Sequence, residues 1–316
     1  LKSIKLEIMK SIFKILVVAL LLGNFTANAQ EYVFKVLANK GNNSVKIEGA
    51  DWTSLKTGQS LNSGDELKLS EEAYLGLMHN SGKTLEVKTP GSHTVSGLAA
   101  NLKSKNTSVA SKYADFVMNK MSDDEGSGDY RKSMGATGAV DRALASGASI
   151  KIMALSSSEI INDEVILRWN EPKQEGEMED LTYELTFSNL FDETIATETV
   201  DKTSYLLDRS KEPFAGQNFI KVKVQVKGED LKSDDYAITI KPEEETAEIK
   251  ETLEQLKSEI EGESAMDKLV MAAFYEDNDL LLDALTAYEQ AIQMAPNVPV
   301  FEKAYEDFLI RNGFTN

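Results

Sequence analysis

The segment Phe219-Ile220-Lys221-Val222-Lys223-Val224-Gln225-Val226 constrains the fold of this chain more than any other. Ile220, Val222, Val224 and Val226 alternate with Lys221, Lys223, Gln225 and Lys227. A side-chain period of two puts the aliphatic set on one face of an extended strand and the polar set on the other. The aliphatic face needs a second β layer to cover it while the lysine face stays wet. Shorter stretches of the same kind surround it: Glu164-Val165-Ile166-Leu167-Arg168-Trp169, Tyr183-Glu184-Leu185-Thr186-Phe187, Ser204-Tyr205-Leu206-Leu207 and Tyr236-Ala237-Ile238-Thr239-Ile240. Residues 151–242 therefore read as a β-sandwich with Trp169 as its core aromatic.

From Tyr32 to about Leu102 the strands are shorter, and Gly, Asn and Ser turns separate them. Tyr32–Leu37, Ser44–Ile47, Glu66–Leu69, Ala73–Met78 and Thr84–Val87 are the strand candidates, and His79-Asn80-Ser81-Gly82 reads as a hairpin turn. Many short strands with regular turns predict a small, strongly bent sheet or barrel over 30–105. The order Trp52…Leu55-x-x-Gly58-x-x-Leu61-x-x-Gly64-Asp65, followed by Ser81-Gly82-Lys83-Thr84-Leu85 and Pro90-Gly91, resembles the FecR-type periplasmic module across about 32–102. The glycines supply positive φ where a side chain would clash. Trp52 is expected as a core or rim anchor rather than an exposed ligand platform. In that family a cytoplasmic segment and a membrane helix precede the module. Here a cleavable signal peptide is expected in their place, so the resemblance implies a recognition role and no contact with a cytoplasmic sigma factor. The strand set of 151–241 resembles a fibronectin type III or immunoglobulin-like sandwich. It lacks the Cys pair of antibody domains, and Phe219 stands near where a type III module often has Tyr, so the subtype stays open.

Residues 106–150 read as a helical and acidic, glycine-rich linker. Val109, Tyr113, Phe116, Val117 and Met121 have helical spacing. Ser122-Asp123-Asp124-Glu125-Gly126-Ser127-Gly128-Asp129 follows as a solvated loop. A calcium loop starting at Asp123 would need Glu where Met134 stands. Gly135–Val140 has glycines but neither the preceding strand nor the Lys-Ser/Thr of a nucleotide loop.

After Pro242 the period changes to that of a helix. Glu243-Glu244-Glu245 suits a first turn, and Ile249, Leu253, Leu256 and Ile260 form one stripe. Residues 265–298 resemble a single tetratricopeptide unit: Ala272, Tyr275, Ala284, Tyr288 and Ala291 fall on its small and aromatic positions, with Pro296 as the closing proline and Asn278-Asp279 as the turn. Lys268 and Met271 stand where that consensus prefers Trp and Leu. Phe301, Tyr305, Phe308 and Leu309 mark a further helix. One repeat cannot form a solenoid, so the helical region 243–316 must pack on its own neighbours or on a partner. The expected fold class is thus multidomain β plus α: a small β module, a helical linker, an Ig/FnIII-like β-sandwich and a C-terminal helical tetratricopeptide-like hairpin.

Lys10 and Lys14 precede the apolar run Ile15–Leu22, and Ala27-Asn28-Ala29 has the small-x-small form that a signal peptidase reads. Residues 1–29 are therefore expected to be a cleaved signal peptide. Met9 is the expected initiator, with Leu1–Ile8 an upstream extension. The run of eight is too short for a spanning helix, which needs roughly 20 apolar residues. No integral membrane segment is expected after cleavage. There is no cysteine, so disulfides, thiolate catalysis and a lipidated Cys are excluded together. The formal charge is −18. Residues 1–29 hold four lysines and one glutamate, so their loss leaves about −21. That charge disfavours nucleic acid and anionic membranes as partners.

Catalytic signals are few. His79 and His93 are the two histidines. Both read as turn residues of the first β module, and two ligands without cysteine fall short of a zinc site. No GxSxG, HExxH or Walker pattern occurs. No enzyme activity, cofactor or metal is expected. Two binding classes remain. The first is an exported adaptor or scaffold of a Gram-negative cell envelope, periplasmic or secreted, that docks envelope proteins through its helical end. Tyr275, Tyr288, Phe301, Tyr305 and Phe308 are its candidate interaction surface, unless the helices pack internally. The second is a carbohydrate or peptidoglycan binder that uses Trp52, Tyr74 and His79 as a stacking face on cell-wall glycan. If the export reading holds, N-terminal sequencing of the native protein starts at Gln30; a membrane-embedded protein retaining residues 1–29 refutes it.

Overall fold

A computed structural model of the chain describes residues 32–102, 108–122, 150–154, 157–172, 181–260 and 264–314. The expected signal peptide, the acidic loop at 123–129, the calcium-loop reading to Met134 and the glycines of 135–140 lie outside the described residues. The described chain is mixed β plus α.

Eight short strands build the first β unit: β1 Phe34–Lys40, β2 Ser44–Lys46, β3 Trp52–Ser54, β4 Ser60–Leu61, β5 Glu66–Leu69, β6 Tyr74–His79, β7 Thr84–Val87 and β8 Gly91–Thr94. They form two antiparallel four-stranded sheets, ordered β4-β1-β6-β7 and β3-β2-β5-β8. Phe34, Val36, Val45, Leu61, Leu67, Leu75 and Leu77 fill the space between them. A short helix α1, Val95–Ala100, follows, capped by the Thr94 side chain.

The sheet containing β1 and β6 is buried on both faces. On β6, Leu75 and Leu77 enter the inter-sheet core while Tyr74 and Met78 face a different, helical core. On β1 the register shifts between Val36 and Ala38, so Ala38 joins Leu37 on the helical side instead of following Phe34 and Val36. A one-residue slip in a period-two pattern has that effect. Burial on both faces also explains why Ala73–Met78 reads as a nearly continuous apolar run.

The second β unit has seven described strands: β9 Ser157–Ile160, β10 Glu164–Arg168, β11 Tyr183–Ser188, β12 Thr194–Val200, β13 Ser204–Asp208, β14 Phe219–Val226 and β15 Tyr236–Ile240. A five-stranded sheet, β12-β11-β14-β15-β9, faces the pair β10-β13. Ile220, Val222, Val224 and Val226 point into the shared core, as their alternation requires, with Leu185 and Phe187 beside them on β11 and Val165, Leu167 and Leu207 opposite. Trp169 is 1% exposed there and meets Tyr183 edge to face at 5.4 Å. Strands β9 and β12 escape sequence reading because Ser-Ser-Glu-Ile and Thr-Ile-Ala-Thr-Glu-Thr-Val carry weak alternation.

Five longer helices complete the fold: α2 Ser108–Ser122, α3 Glu243–Ile260, α4 Ala265–Asp277, α5 Leu281–Met294 and α6 Pro299–Arg311. Helices α4 and α5 are an antiparallel hairpin whose buried alanines, Ala272, Ala273, Ala284, Ala287 and Ala291, allow close approach. Ser264 starts α4 with a reciprocal capping box to Asp267. Helix α4 is buried nearly all round, which is the signature of a central helix rather than a surface one. Gly76 of β6 lies close against it: a Cβ there would lie 2.7 Å from Met266 Sδ.

Helix α2, expected in a linker, is instead packed on α3 and α4 through Ala110, Tyr113, Ala114 and Val117, with Tyr113 against Phe274 at 5.2 Å. Glycine at position 82 of the β6–β7 turn, with φ +86°, permits the close approach of α2, since a Cβ there would lie 2.4 Å from the Ser111 nitrogen. The described residues from Val33 onward form one compact unit. No described helix is long and apolar enough to cross a membrane.

Phe301 of α6 is 1% exposed and packs edge to face on Tyr74 of β6 at 5.8 Å. Phe301→Ala is expected to cost about 3–5 kcal/mol, read as a lower urea midpoint at unchanged slope. Removing 265–316 should abolish the single cooperative melt, because it uncovers Leu37, Tyr74, Met78 and Ile166 together; an intact melt shows the β units to be self-sufficient.

Candidate functional site

The α4–α5 hairpin carries its polar residues at the seams with its neighbours. Asp267, the third residue of α4, accepts a hydrogen bond from Thr84 Oγ1 of β7 and from the Ser264 N–H at 3.3 Å. Beside it, Glu86 of β7 accepts from Tyr74 Oη at 2.6 Å and from the Met266 N–H at 3.1 Å, and pairs with Lys88 at 2.7 Å. Burial pushes the Asp267 carboxyl up to about 6, against the hydrogen bonds from Thr84 and Ser264. Burial acts the same way on Glu86, but the Lys88 and Tyr74 bonds outweigh it and hold that group below its ordinary value.

The other seam uses a polar stripe on α5 at three-residue steps: Asp283, Thr286 and Glu289. Asp283 accepts from the Ile161 N–H at 3.1 Å, the Asn162 N–H at 3.2 Å and Asn162 Nδ2 at 2.7 Å. Thr286 Oγ1 accepts from the Ile166 N–H at 2.8 Å. Glu289 accepts both Nε and Nη2 of Arg168, the latter at 2.7 Å, and Tyr305 Oη at 2.9 Å. The Glu289 contact raises the Arg168 guanidinium further above its ordinary range. Within the helical layer, Glu276 accepts Arg311 Nε and Nη2, each at 3.0 Å, and Tyr288 Oη at 3.0 Å. Glu259 of α3 accepts the Ala110 N–H at 2.8 Å, at the start of α2. Charge-assisted and bidentate bonds of this kind fix orientation as well as energy.

The five aromatics expected as an interaction surface lie in this interior. Tyr275, Tyr288, Phe301 and Phe308 are buried and Tyr305 is half-buried. Tyr288 packs on Phe308 at 4.9 Å and on Tyr305 at 6.4 Å. Their apolar content is absorbed by β1, β6, α2 and β10, surfaces that sequence reading did not bring to the helices.

The expected stacking face of Trp52, Tyr74 and His79 is not assembled. Tyr74 is buried under α6, and His79 packs on Phe34 at 5.2 Å with Nδ1 2.8 Å from Ser81 Oγ. Trp52 belongs to the other sheet, on edge strand β3, and is 43% exposed rather than a core anchor. Burial, then Lys83, lowers the His79 pKa. His79 and His93 are strand residues in different sheets, and His93 Nε2 lies 2.8 Å from the Thr89 carbonyl. Among the described residues no three His, Cys, Asp or Glu side chains cluster as a metal site would require.

Among the described residues the largest exposed apolar pair is Leu190 and Phe191, 67% and 80% exposed, at the tip of the β11–β12 hairpin. Asn189 locks this tip: its Oδ1 accepts the Phe191 N–H at 2.9 Å and the Glu193 N–H at 3.1 Å, and its Nδ2 donates to Glu193 Oε2 at 2.8 Å. Asp192 takes φ +64° and pairs with Lys221 of β14. Asn and Asp favour such turns because their side chains bond the local backbone and tolerate positive φ. The Asn189–Glu193 run carries that turn signal, but the apolar pair inside it is ordinary in sequence. No protein-family model and no curated protein matches this chain.

Burial also pushes Asp283 up to about 7, from an ordinary 3.8. Between pH 4 and 7 the folded state therefore holds protons that the unfolded state has released, and stability falls as pH rises through the folded values of Asp267 and Asp283. The melting temperature is expected to be higher at pH 5.5 than at pH 8, and Asp283→Asn should flatten the upper part of that slope. A profile that rises with pH across this window shows both carboxylates to be ionised in the fold.

Proposed function

We propose that this protein is an exported, non-catalytic adaptor of a Gram-negative cell envelope, periplasmic or secreted, that docks an envelope protein through the Leu190–Phe191 tip. The observation that carries the reading is a rigid turn holding two large apolar side chains in water. Burying a Leu or Phe side chain is worth about 1.5–3 kcal/mol each, and a turn already ordered by Asn189 spares the partner-bound state most of the ordering cost. Aromatic anchors of this kind dominate interface energetics.

The resemblances support the same class. A FecR-type module at 32–102, a fibronectin type III or immunoglobulin-like sandwich at 151–241 and a tetratricopeptide-like unit at 265–298 are all recognition modules, which is an argument by analogy. The strong negative charge favours a partner whose rim is basic. The helical aromatics are occupied with one another, which leaves the Leu190–Phe191 tip as the docking surface in this reading.

Leu190→Ser with Phe191→Ser is expected to weaken capture of the native envelope partner by about 100-fold or more, at unchanged melting temperature, because neither side chain is part of the core. Equal capture by the double variant places the contact elsewhere. Binding to purified sacculi, with no protein captured, favours the glycan-binding class instead.

A further inference from the structure

A cavity of about 280 Å³ opens where α3, α4 and α5 meet the β9–β10 turn. That volume is close to the lower end of small-molecule sites. Its charged groups are sorted by end. Asp163 and Glu164, from the turn and the start of β10, line one end together with Tyr275 and Asp283. Tyr275 Oη lies 3.4 Å from Asn162 Oδ1, and Asp283 accepts its three bonds from Ile161 and Asn162. Those contacts fix the acidic turn against the last part of α4 and the first turn of α5. The other end is basic. Lys257, three residues before the end of α3, and Lys268, three after the start of α4, line it with Gln290. Lys268 and Tyr275 stand seven residues apart on one face of α4, ~10 Å along its axis. Because α4 and α5 run antiparallel, Gln290 comes level with Lys268 just as Asp283 comes level with Tyr275.

The two signs do not reach each other across the cavity. Among the described residues Glu164 and Lys268 form no side-chain hydrogen bond or ion pair. Lys257 pairs with Glu254 of its own helix at 3.0 Å, and Asp163 with Arg209 at 3.1 Å. Both stay exposed, and a carboxylate with one donor keeps room for others. Lys268 is half-buried, so its unpaired ammonium carries a desolvation cost that an anion would relieve. A net cation or a net anion entering here meets like charge at one end. A ligand with an ammonium at one end and a carboxylate at the other matches both. Between the ends the wall is Met271 and Ala287, which suit small apolar side chains. Two or three residues of extended peptide span at most about 7–11 Å, which is the separation of the two ends.

We infer that this cavity binds a zwitterionic peptide of two or three residues with free termini. Its ammonium sits at Asp163 and Glu164, and its carboxylate at Lys257 and Lys268, where the Gln290 amide can donate to the same group. The site shares no residue with the Leu190–Phe191 tip and is independent of the docking role proposed there.

Dialanine and trialanine are titrated calorimetrically into the full-length protein, beside their N-acetylated and C-amidated forms. Saturable binding is expected for at least one free peptide, and blocking either terminus should weaken it by about tenfold or more. Lys268→Gln should lower the affinity for the free peptide while leaving the C-amidated form unchanged, so that the two are no longer distinguished. Glu164→Gln should remove the distinction from the N-acetylated form in the same way. Neither side chain belongs to a hydrophobic core, so both variants should melt as the parent does. The inference is overturned if neither free peptide saturates at millimolar concentration, or if a blocked peptide binds as tightly as its free parent. A variant that keeps the parent's full discrimination overturns it as well. The blocked peptides probe the same contacts on the unaltered protein, so the outcome does not depend on the stability of either variant.

Discussion

Helix α4 has almost no surface of its own, and the rest of the molecule is arranged around that constraint. A helix apolar on every side has to be enclosed, and five separate elements enclose this one: β6 and β7 on one side, α2, α3 and α5 on the others. The Gly76 contact with Met266 shows how close the enclosure is. Neither β unit is finished without it. The outer face of β1–β6 presents Leu37, Ala38, Tyr74 and Met78, and β10 presents Ile166, all of which end in the helical core. Leu282 at the start of α5 goes further and enters the core of the second β unit.

Apolar burial of this kind is not directional, so it cannot by itself set how two sheets are oriented on one hairpin. The buried acids do that. Asp267 reads Thr84, Asp283 reads the backbone of the β9–β10 turn, Thr286 reads the Ile166 N–H, and Glu289 holds Arg168 in a two-point contact. Each seam thus has at least one bond with a fixed direction. Removing one partner of such a pair leaves an unpaired buried group, which is far more costly than the pair's net contribution. The design has a consequence for pH: carboxyls kept dry enough to orient the seams are also carboxyls whose ionisation opposes folding.

With the helical layer occupied in joining the two β units, the most exposed large apolar side chains among the described residues, Leu190 and Phe191, lie outside it. They sit at the turn that joins β11 to β12. The sheet that carries them packs its Ile220–Val226 face against β10–β13.

Local physics made much of this chain legible from its residues. The period-two run at Phe219–Val226 determines a strand with one dry face whatever lies around it, because successive side chains must alternate. The same reasoning reaches β6, β10, β11 and β15, the hairpin turn at Gly82, the Asn278-Asp279 turn and the paired alanines of α4 and α5. Trp169 as a core aromatic follows too. What the sequence could not determine is which dry face meets which. Tyr288, Phe301 and Phe308 look like surplus apolar surface until β1 and β6 are known to be dry on both sides. Helix α2 reads as part of a linker until Tyr113 is placed on Phe274. Those pairings join residues more than a hundred positions apart, such as Phe301 with Tyr74 and Tyr113 with Phe274. Periodicity reports only that a face must be covered; the tertiary structure alone decides what covers it, because hydrophobic burial rewards area and is indifferent to the identity of the partner.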